Sequence, residues 1–491
     1  MRSVVVGLGK TGASCIRHLT KRGVALSATD TRRAPPGLAE LGDLADSIDL
    51  RLGGFDLSLL EGASQLLMSP GVSLEEPIAQ AARQRGIEVL GDVELFARAA
   101  RAPVIGVTGT NGKSTVTTLV ARMAQAAGRR VLAGGNLGEP ALDLLELPTP
   151  DLYVLELSSF QLDTTWSLKL KAAVVLNVSA DHLDRYASVA AYARAKARIF
   201  AQAATIVLNA DDPLVAAMRP ADATRRTVTF SIERPDADYS LLRAGSQTLL
   251  ARRGVALLDT ARMKITGLHN AANALAALAL GEAVGLPMAA MLGALEAFLG
   301  LPHRCEWIAD IDGVHFVDDS KGTNVGATIA AVAGMPGPLV IIAGGQGKGQ
   351  DFSPLAEAFR GKVRRVILIG RDAPAIAGAL DGVCATETVA AVGGEAVVDG
   401  GTVVGDGTEA GAGAIGGGAA AVMQAAVAAA ARAARPSDTV LLSPACASLD
   451  MFQNYGHRGE VFAGAVRQLA AMREPAAAPQ PGAVRSLQGA P

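Results

Sequence analysis

The chain has 491 residues, of which 50% are hydrophobic and 19% are charged, and its formal net charge is −2. This length allows two to four domains with full hydrophobic cores, and the near-neutral charge gives no electrostatic basis for binding nucleic acid. The four cysteines stand far apart, which argues against a disulfide framework or a compact zinc site and favours a reducing compartment.

The first predicted element is the strand SVVVG at 3–7, which runs directly into a glycine-rich turn. Gly7, Gly9 and Gly12 have G-x-G-x-x-G spacing, and Asp30 ends the next apolar segment 18 positions later. In such a turn the glycines let the backbone approach a pyrophosphate at a helix N-terminus, and the acid can hold a sugar hydroxyl. The pattern predicts a nucleotide-diphosphate site, for which NAD is only one candidate; the alternative is a tight turn that binds nothing.

A second glycine-rich loop, VTGTNGKST, occupies residues 107–115. Two residues separate Gly109 from Gly112, whereas the common P-loop has four at this point. A predicted strand leads in and an alanine-rich helix leads out, so backbone N–H groups would face the loop. Lys113 can neutralise phosphate oxygens and Ser114 or Thr115 can ligate Mg²⁺, so the context predicts phosphate binding.

Three residues beyond the loop have the chemistry of a metal site. Glu156 stands near the end of the predicted strand LYVLELS, His182 follows the next strand, and Lys196 lies on a predicted helix. Ligands of α/β proteins bind at the carboxyl ends of strands. Taken alone, His182 is an ordinary loop histidine and Lys196 a solvated lysine.

Continuous apolar runs alternate with helical segments along the chain, which predicts mainly parallel sheets in three α/β blocks. Residues 393–418 contain 11 glycines among 26 positions, and such a run predicts a long surface insertion. The alanine-rich segment 419–435 is predicted to be a helix that does not span a membrane. The proline-rich tail, 474–491, is predicted to be disordered.

Several strings together resemble the Mur ligase family and its relatives, the folylpolyglutamate synthases. They include GVTGTNGKST, LELSSFQL, DHLDRY, RAKARIF, LPHRCE, DSKGTN and SPACASLDMF. The resemblance covers about residues 1–473 apart from the insertion and implies an α/β fold with three domains. These are a Rossmann-like UDP-substrate-binding domain at 1–91, a central P-loop-type ATP-binding domain at 92–298 and a Rossmann-like amino-acid-binding domain at 299–473.

The resemblance also implies an activity: an ATP-dependent ligase that forms an amide bond through an acyl phosphate. The strings match best the member that adds D-glutamate to UDP-N-acetylmuramoyl-L-alanine in peptidoglycan precursor synthesis. Such an enzyme is expected to be a cytoplasmic monomer that uses ATP and Mg²⁺, without nucleic acid or membrane insertion.

The same resemblance assigns residues of this chain to each predicted site. The catalytic residues are Lys113, His182 and Lys196. The ATP residues are Gly109, Thr110, Asn111, Gly112, Lys113, Ser114, Thr115, Asn270, Asn273, His303, Arg304, Asp319 and Lys321. The Mg²⁺ residues are Ser114, Glu156, His182 and a carbamylated Lys196. The UDP-substrate residues are Lys10, Thr11, Asp30, Thr31, Arg32, Gly71 and Asn136, and the D-glutamate residues are Lys321, Thr323, Lys348, Ser448, Leu449 and Tyr455.

Three alternatives remain at the level of sequence. A sibling Mur ligase or a folylpolyglutamate synthase would share the ATP loop, although the first glycine loop favours a UDP-sugar over folate. An NAD-dependent oxidoreductase would use the first loop but leaves the second loop, Glu156 and Lys196 unexplained. A non-catalytic ATP-binding regulator would not need a complete set of metal ligands.

Overall fold

The computed structural model describes residues 2–222, 224–245, 247–265, 267–335, 337–392, 395–398, 401–402 and 415–473. By its contacts the chain divides into two units. The first contains residues 1–301 and 348–350, and the second contains the other described residues from Pro302 onward. Each unit is described by itself below.

The first sheet of the first unit has five parallel strands in the order β3-β2-β1-β4-β5. They are β1 (Arg2–Val6), β2 (Ala25–Asp30), β3 (Asp49–Leu52), β4 (Gln65–Met68) and β5 (Glu88–Leu90), with helices α1 (Lys10–Thr20), α2 (Leu38–Leu41), α3 (Pro77–Gln84) and α4 (Asp92–Ala99). The strand order reverses between β1 and β4. This topological switch point is where doubly wound sheets bind ligands.

The second sheet of this unit has nine strands in the order β14-β13-β12-β11-β10-β9-β6-β8-β7. The strands are β6 (Val104–Thr108), β7 (Val131–Gly135), β8 (Leu152–Glu156), β9 (Ala172–Val175), β10 (Thr205–Asn209), β11 (Arg226–Phe230), β12 (Tyr239–Ala244), β13 (Gln247–Arg252) and β14 (Val255–Asp259). The helices are α5 (Lys113–Ala126), α6 (Ser159–Asp163), α7 (Val189–Ala197), α8 (Pro213–Ala216), α9 (Leu268–Ala283) and α10 (Met288–Ala297). Strand β12 continues the parallel sheet beside β11, and β13 and β14 follow it as antiparallel hairpins.

The second unit is built on one mixed sheet in the order β15-β16-β22-β17-β18-β19-β20-β21. Its strands are β15 (Glu306–Ile311), β16 (Val314–Asp318), β17 (Leu339–Gly344), β18 (Val363–Ile369), β19 (Ala385–Val392), β20 (Glu395–Val398), β21 (Gly401–Thr402) and β22 (Thr439–Leu442). The helices are α11 (Val325–Gly334), α12 (Pro354–Phe359), α13 (Ala373–Ala379), α14 (Ile415–Ala433) and α15 (Tyr455–Arg473). Buried apolar side chains of β17, β18 and β22 pack against helices on both faces of the sheet.

The predicted α/β class with mainly parallel sheets is confirmed, and the predicted strands SVVVG and LYVLELS overlap β1 and β8. The glycine-rich segment 393–418 differs from its prediction, because β20 and β21 extend the sheet antiparallel from β19 and α14 begins at Ile415. The edge of an open sheet has unpaired backbone N–H and C=O groups, and a glycine-rich segment can form hydrogen bonds with them. The rest of that segment and the predicted disordered tail, 474–491, lie outside the described residues.

Residues 419–433 belong to α14, as the sequence predicted. Among the helices of the described residues, none combines the length and the apolar character needed to cross a membrane.

Candidate active site

The loop between β6 and α5 has the backbone geometry of a phosphate-binding turn. Gly109 and Gly112 have φ angles of 153° and 83°, which disfavour other residues. A Cβ on Gly112 would lie 2.4 Å from Asn273 Oδ1, and one on Gly109 would lie 2.9 Å from Leu176 Cβ. Because the first N–H groups of α5 lack partners within the helix, the loop can hold anionic oxygens.

The predicted ATP residues of the first unit lie together at this loop. Lys113 Nζ donates to the carbonyl oxygens of Gly109 and Thr110, at 3.0 and 2.9 Å. Asn273, beside Gly112, donates from Nδ2 to Asn270 Oδ1 at 3.2 Å. The start of α9 therefore packs on the phosphate loop. Ser114 and Thr115, each 6% exposed, lie in the first turn of α5.

Lys196 is a buried lysine directed at the same loop. Its side chain is 1% exposed and its Nζ donates to Gly109 O at 2.8 Å. Nζ also lies 4.3 Å from the centroid of the Tyr192 ring. Burial, aided by the charge of Lys113, lowers the pKa of Lys196 well below its usual range. A lowered pKa favours the neutral amine, which is a nucleophile.

Glu156 ends β8, and its two carboxylate oxygens have different surroundings. Asn136 donates from Nδ2 to Oε1 at 2.7 Å, and its backbone N–H donates to the Glu156 carbonyl at 2.8 Å. Among the described residues, nothing hydrogen-bonds Oε2, which is buried. A buried acceptor of this kind, on an acid 3% exposed, fits a cation ligand beside the phosphate loop.

His182 lies in an aromatic setting next to Asp181. Its φ of 55° places it in the left-handed region, and its Nε2 lies 3.7 Å from Asp181 Oδ2. The imidazole packs edge-on against Phe160 and Tyr192, at centroid distances of 4.9 and 6.0 Å. Burial lowers the pKa of His182, which favours the neutral ring that a metal ligand needs.

A separate cleft of about 510 Å³ joins the carboxyl ends of β1 and β4 to the loop after β7. All seven predicted UDP-substrate residues line it: Lys10, Thr11, Asp30, Thr31, Arg32, Gly71 and Asn136. Asn136 therefore touches both the cleft and Glu156. A Cβ on Gly12 would lie 2.0 Å from Gly7 O, which explains the last glycine of the motif.

Asp30 also has a local structural role, besides the sugar contact that the motif suggests. Leu8 N–H donates to its Oδ2 at 2.6 Å, and Arg32 donates to Oδ1 and Oδ2 at 2.9 and 2.7 Å. Burial opposes the charge, but the hydrogen bonds from Arg32 and Leu8 lower the pKa of Asp30 overall. The carboxylate thus orients Arg32 at the edge of the cleft.

In the second unit, several predicted residues surround the end of β16. His303 Nδ1 lies 2.7 Å from Asp318 Oδ2, and this hydrogen bond raises the pKa of His303. Burial raises the pKa of Asp319 to about 7, although Ser443 donates to its Oδ2 at 2.8 Å. Arg304, another predicted ATP residue of this unit, is half-buried and follows His303 directly in sequence.

The predicted D-glutamate residues divide between the two units. Lys321 Nζ lies 3.7 Å from the centroid of the Tyr455 ring, and Thr323 N–H donates to the Lys321 carbonyl at 2.8 Å. Ser448 is 4% exposed, whereas Leu449 next to it is 68% exposed. Lys348 groups with the first unit, where its Nζ lies 3.9 Å from Asp181 Oδ1.

Three residues of the site had no predicted role. Asp181, 6% exposed, raises the pKa values of both Lys196 and His182 against burial. Tyr192 packs on Lys196, and Gln161 lines the cleft. Asp181 lies in the motif DHLDRY, Gln161 lies in LELSSFQL, and Tyr192 lies in the same helix as Lys196. Their positions beside assigned residues were therefore the available signal.

Family models match most of the chain. They are described as "Mur ligase MurD-like, N-terminal domain" for residues 1–91, "Mur ligase middle domain" for 107–281 and "Mur ligase, glutamate ligase domain" for 303–446.

Curated relatives agree with these models. UDP-N-acetylmuramoylalanine–D-glutamate ligase of Nitrosococcus oceani is 51% identical over 470 residues, which cover 95% of this chain and 96% of the relative. The ligase of the same name from Pseudomonas savastanoi pv. phaseolicola is 48% identical over 475 residues, covering 95% and 98%.

Among solved structures, a pseudomurein peptide ligase type C from Methanothermus fervidus shares the fold. Its TM-score is 0.60 at 20% identity, and the match covers 95% of this chain and 99% of that chain. Sequence models, relatives of high identity and overall fold therefore agree, and the chain belongs to the Mur ligase family.

Proposed function

We propose that this enzyme joins D-glutamate to UDP-N-acetylmuramoyl-L-alanine with ATP, as the names of its curated relatives state for those proteins. The observation that carries the proposal is the junction at Asn136. One amide contacts Glu156 beside the phosphate loop and also lines the cleft that holds every predicted UDP-substrate residue. The proposed ATP site and the proposed UDP-substrate cleft therefore meet at Asn136. Transfer of a phosphoryl group from ATP to a UDP-linked acid requires such a meeting point.

The reaction has two steps. A carboxylate oxygen of the UDP-linked substrate attacks the γ-phosphorus of ATP, forming an acyl phosphate and releasing ADP. The neutral amine of D-glutamate then attacks the acyl carbon, phosphate leaves and the nitrogen loses a proton. Lys113 and the N-terminal N–H groups of α5 stabilise the charge on the transferring phosphoryl group.

Mg²⁺ would neutralise phosphate charge at this place, and the residues present fit it. Ser114, Glu156 and His182 offer two oxygens and a neutral nitrogen, and Glu156 Oε2 is buried without a protein partner in the described chain. Lys196 would complete the set after carbamylation, in which its neutral Nζ bonds to the carbon of CO₂ and loses a proton. The product is an anion, which suits a buried position next to metal better than a cation does.

The remaining contacts are part of the same proposal. His303, Arg304, Asp319 and Lys321 are assigned to ATP. Lys321, Thr323, Lys348, Ser448, Leu449 and Tyr455 are assigned to D-glutamate, whose two carboxylates need cations and N–H or O–H donors. We also propose that the enzyme acts in the cytoplasm as a monomer.

The test measures ATP-dependent phosphate release across a panel of UDP-linked muramoyl acceptors and amino acids. Turnover is expected with UDP-N-acetylmuramoyl-L-alanine and D-glutamate, and not with L-glutamate or meso-diaminopimelate. Preference for L-alanine or a diamino acid would identify a sibling ligase instead. Tight NADH binding in a fluorescence titration would support the oxidoreductase alternative.

A further inference from the structure

An arginine three residues after His182 reaches the wall of the UDP-substrate cleft. Arg185 donates from Nη1 to the Gly71 carbonyl at 3.2 Å and from Nη2 to the Val72 carbonyl at 3.1 Å. Gly71 and Val72 belong to the segment 69–72, here called the cleft wall, all of which lines the cleft. Arg185, itself one of the described residues, does not line the cleft. It therefore holds the cleft through the backbone of its wall.

The same turn of the chain begins at His182, a proposed Mg²⁺ ligand. The backbone N–H groups of Arg185 and Tyr186 both donate to the His182 carbonyl, at 2.9 and 3.0 Å. Residues 182–186 therefore form one closed turn, here called the His182 turn. Because the turn is closed by these hydrogen bonds, a shift of Arg185 also moves the backbone of His182.

An aromatic ring gives a second connection within the His182 turn. The guanidinium carbon of Arg185 lies 4.4 Å from the centroid of the Phe160 ring, and the His182 imidazole packs edge-on against the same ring at 4.9 Å. A cation over an aromatic ring and an edge-on ring pair are both attractive arrangements. The side chains of Arg185 and His182 are therefore linked through Phe160 as well as through the backbone.

The cleft wall is in turn joined to the first glycine turn. The Ser69 hydroxyl donates to the Gly7 carbonyl at 2.6 Å, and the Val72 N–H donates to the Ser69 carbonyl at 2.9 Å. A Cβ on Gly7 would lie 2.8 Å from Val72 Cγ2, so the two turns are in close contact. A ligand that orders the cleft wall therefore also orders the two carbonyls that Arg185 binds.

We propose that Arg185 is a positioning residue that couples the two sites, so that a UDP-linked substrate in the cleft stabilises the His182 turn and strengthens the binding of ATP with Mg²⁺. This coupling rests on the proposed function. The two hydrogen bonds of Arg185 need both the cleft wall and the His182 turn to be ordered, so a ligand that orders one lowers the entropic cost of ordering the other. The effect is reciprocal by thermodynamic linkage.

Two variants separate coupling from simple structural support. Arg185→Met removes both donors to the cleft wall and keeps an unbranched apolar stem beside Phe160. Arg225→Met is the matched control, because Arg225 is a half-buried arginine of the same unit that also donates to two backbone carbonyls. These carbonyls belong to Phe200 and Ala203, outside the cleft wall and the His182 turn. Both variants should lower the melting temperature.

Isothermal titration calorimetry measures the Kd of UDP-N-acetylmuramoyl-L-alanine in the absence of D-glutamate. Each variant is titrated alone and when saturated with Mg²⁺ and a non-hydrolysable ATP analogue, and the ratio of the two Kd values is the coupling factor. The wild type is expected to bind the substrate at least about fivefold more tightly with the nucleotide present. Arg185→Met should reduce this factor at least about threefold, and Arg225→Met should retain it. Loss of a positive charge weakens both measurements alike and cancels in the ratio.

Hydrogen exchange gives a readout at the His182 turn itself. The UDP-linked substrate, added without nucleotide, should slow exchange of the backbone N–H groups of residues 185 and 186, since both are bonded to the His182 carbonyl. This slowing is expected in the wild type and in Arg225→Met, and it should be lost in Arg185→Met.

A wild-type coupling factor of one, or an undiminished factor in Arg185→Met, would overturn the coupling. An equal loss of the factor in Arg225→Met would also overturn it, because general destabilisation would then explain the effect. If the wild type did not bind UDP-N-acetylmuramoyl-L-alanine, the proposed function would be contradicted and the coupling with it. Normal binding with an undiminished factor in Arg185→Met contradicts the coupling alone.

Discussion

Lys196 shows how burial changes the chemistry of a common side chain. In sequence it is a helical lysine, yet the structure holds its Nζ 2.8 Å from Gly109 O in a setting that favours the neutral amine. Neighbouring Asp181 and Glu156 oppose this shift, and a neutral amine is the form that reacts with CO₂. Reactivity at this position therefore follows from packing and not from residue type.

We expect Lys196→Ala to reduce phosphate release by at least about 100-fold, because an anionic ligand at the nucleotide site is lost. Short carboxylic acids such as acetate should restore part of the rate by filling the space with another anion. Lys169→Ala, at an exposed lysine, is the control and should keep full activity. A lysine that works as a plain cation predicts no recovery with carboxylates.

Asp92 predicts a pH dependence of stability. Burial raises its pKa to about 6, above the value of about 3.9 expected in an unfolded chain. A raised pKa means that the contribution to folding is fully present below about pH 4 and is lost as pH rises through about 6. The shift of roughly two units corresponds to about 3 kcal/mol.

The measurement compares urea unfolding of the wild type and Asp92→Asn between pH 4 and pH 8. The wild type should lose stability relative to the variant over this interval, and the difference should level off above about pH 7. A difference that does not change with pH would contradict an ionising carboxyl at this position.

At the scale of elements, the glycine turn after β1 depends on one close approach. A Cβ on Gly12 would meet Gly7 O at 2.0 Å, whereas one on Gly9 would have no atom within 4 Å. Gly12→Ala is expected to cost at least about 1–3 kcal/mol, because α1 must move away from the sheet. Gly9→Ala, three positions earlier, should change stability by less than about 0.5 kcal/mol. Equal melting temperatures for the two variants would contradict this packing.

Many of the parallel strands and both glycine loops could be predicted because their signals are local. Continuous apolar runs mark β6, β8 and β17, and the glycine spacings fix the turns that follow. Strands β12 to β14 were missed. Their burial is incomplete, so they lack the continuous apolar signal of a strand covered on both faces.

The candidate site was only partly predictable for a related reason. Residues 109–115 are contiguous, and their motif identifies them. The Asp92–Gln161 hydrogen bond joins residues 69 positions apart, and an acid in the first turn of a helix looks like an ordinary favourable charge. Asp181 was missed although it stands next to His182, because nothing local distinguishes it from a solvated loop acid.

At the scale of the whole molecule, two sites of the first unit share Asn136 but differ elsewhere. Arg32 lines the UDP-substrate cleft and is held by Asp30, far along the chain from the phosphate loop. Arg32→Ala should raise the KM for the UDP-linked substrate about tenfold through loss of charge-assisted contacts and leave the ATP KM unchanged. Asn136→Ala should impair both, because Glu156 also loses its amide donor.

Steady-state kinetics with each substrate varied in turn checks this pair. If Arg32→Ala raised both KM values alike, the cleft would not be a separate subsite. If Asn136→Ala changed only the substrate KM, the hydrogen bond to Glu156 would have no part in the nucleotide site.

One carbonyl of the phosphate loop accepts hydrogen bonds from two lysines: Gly109 O lies 3.0 Å from Lys113 Nζ and 2.8 Å from Lys196 Nζ. Carbamylation of Lys196, as proposed, would place an anion beside Lys113 at that oxygen. The fraction of enzyme in the active, carbamylated form would then depend on the CO₂ content of the solution in which the enzyme was kept. Enzyme prepared without dissolved CO₂ would begin slowly and accelerate during assay, and added bicarbonate would abolish the lag.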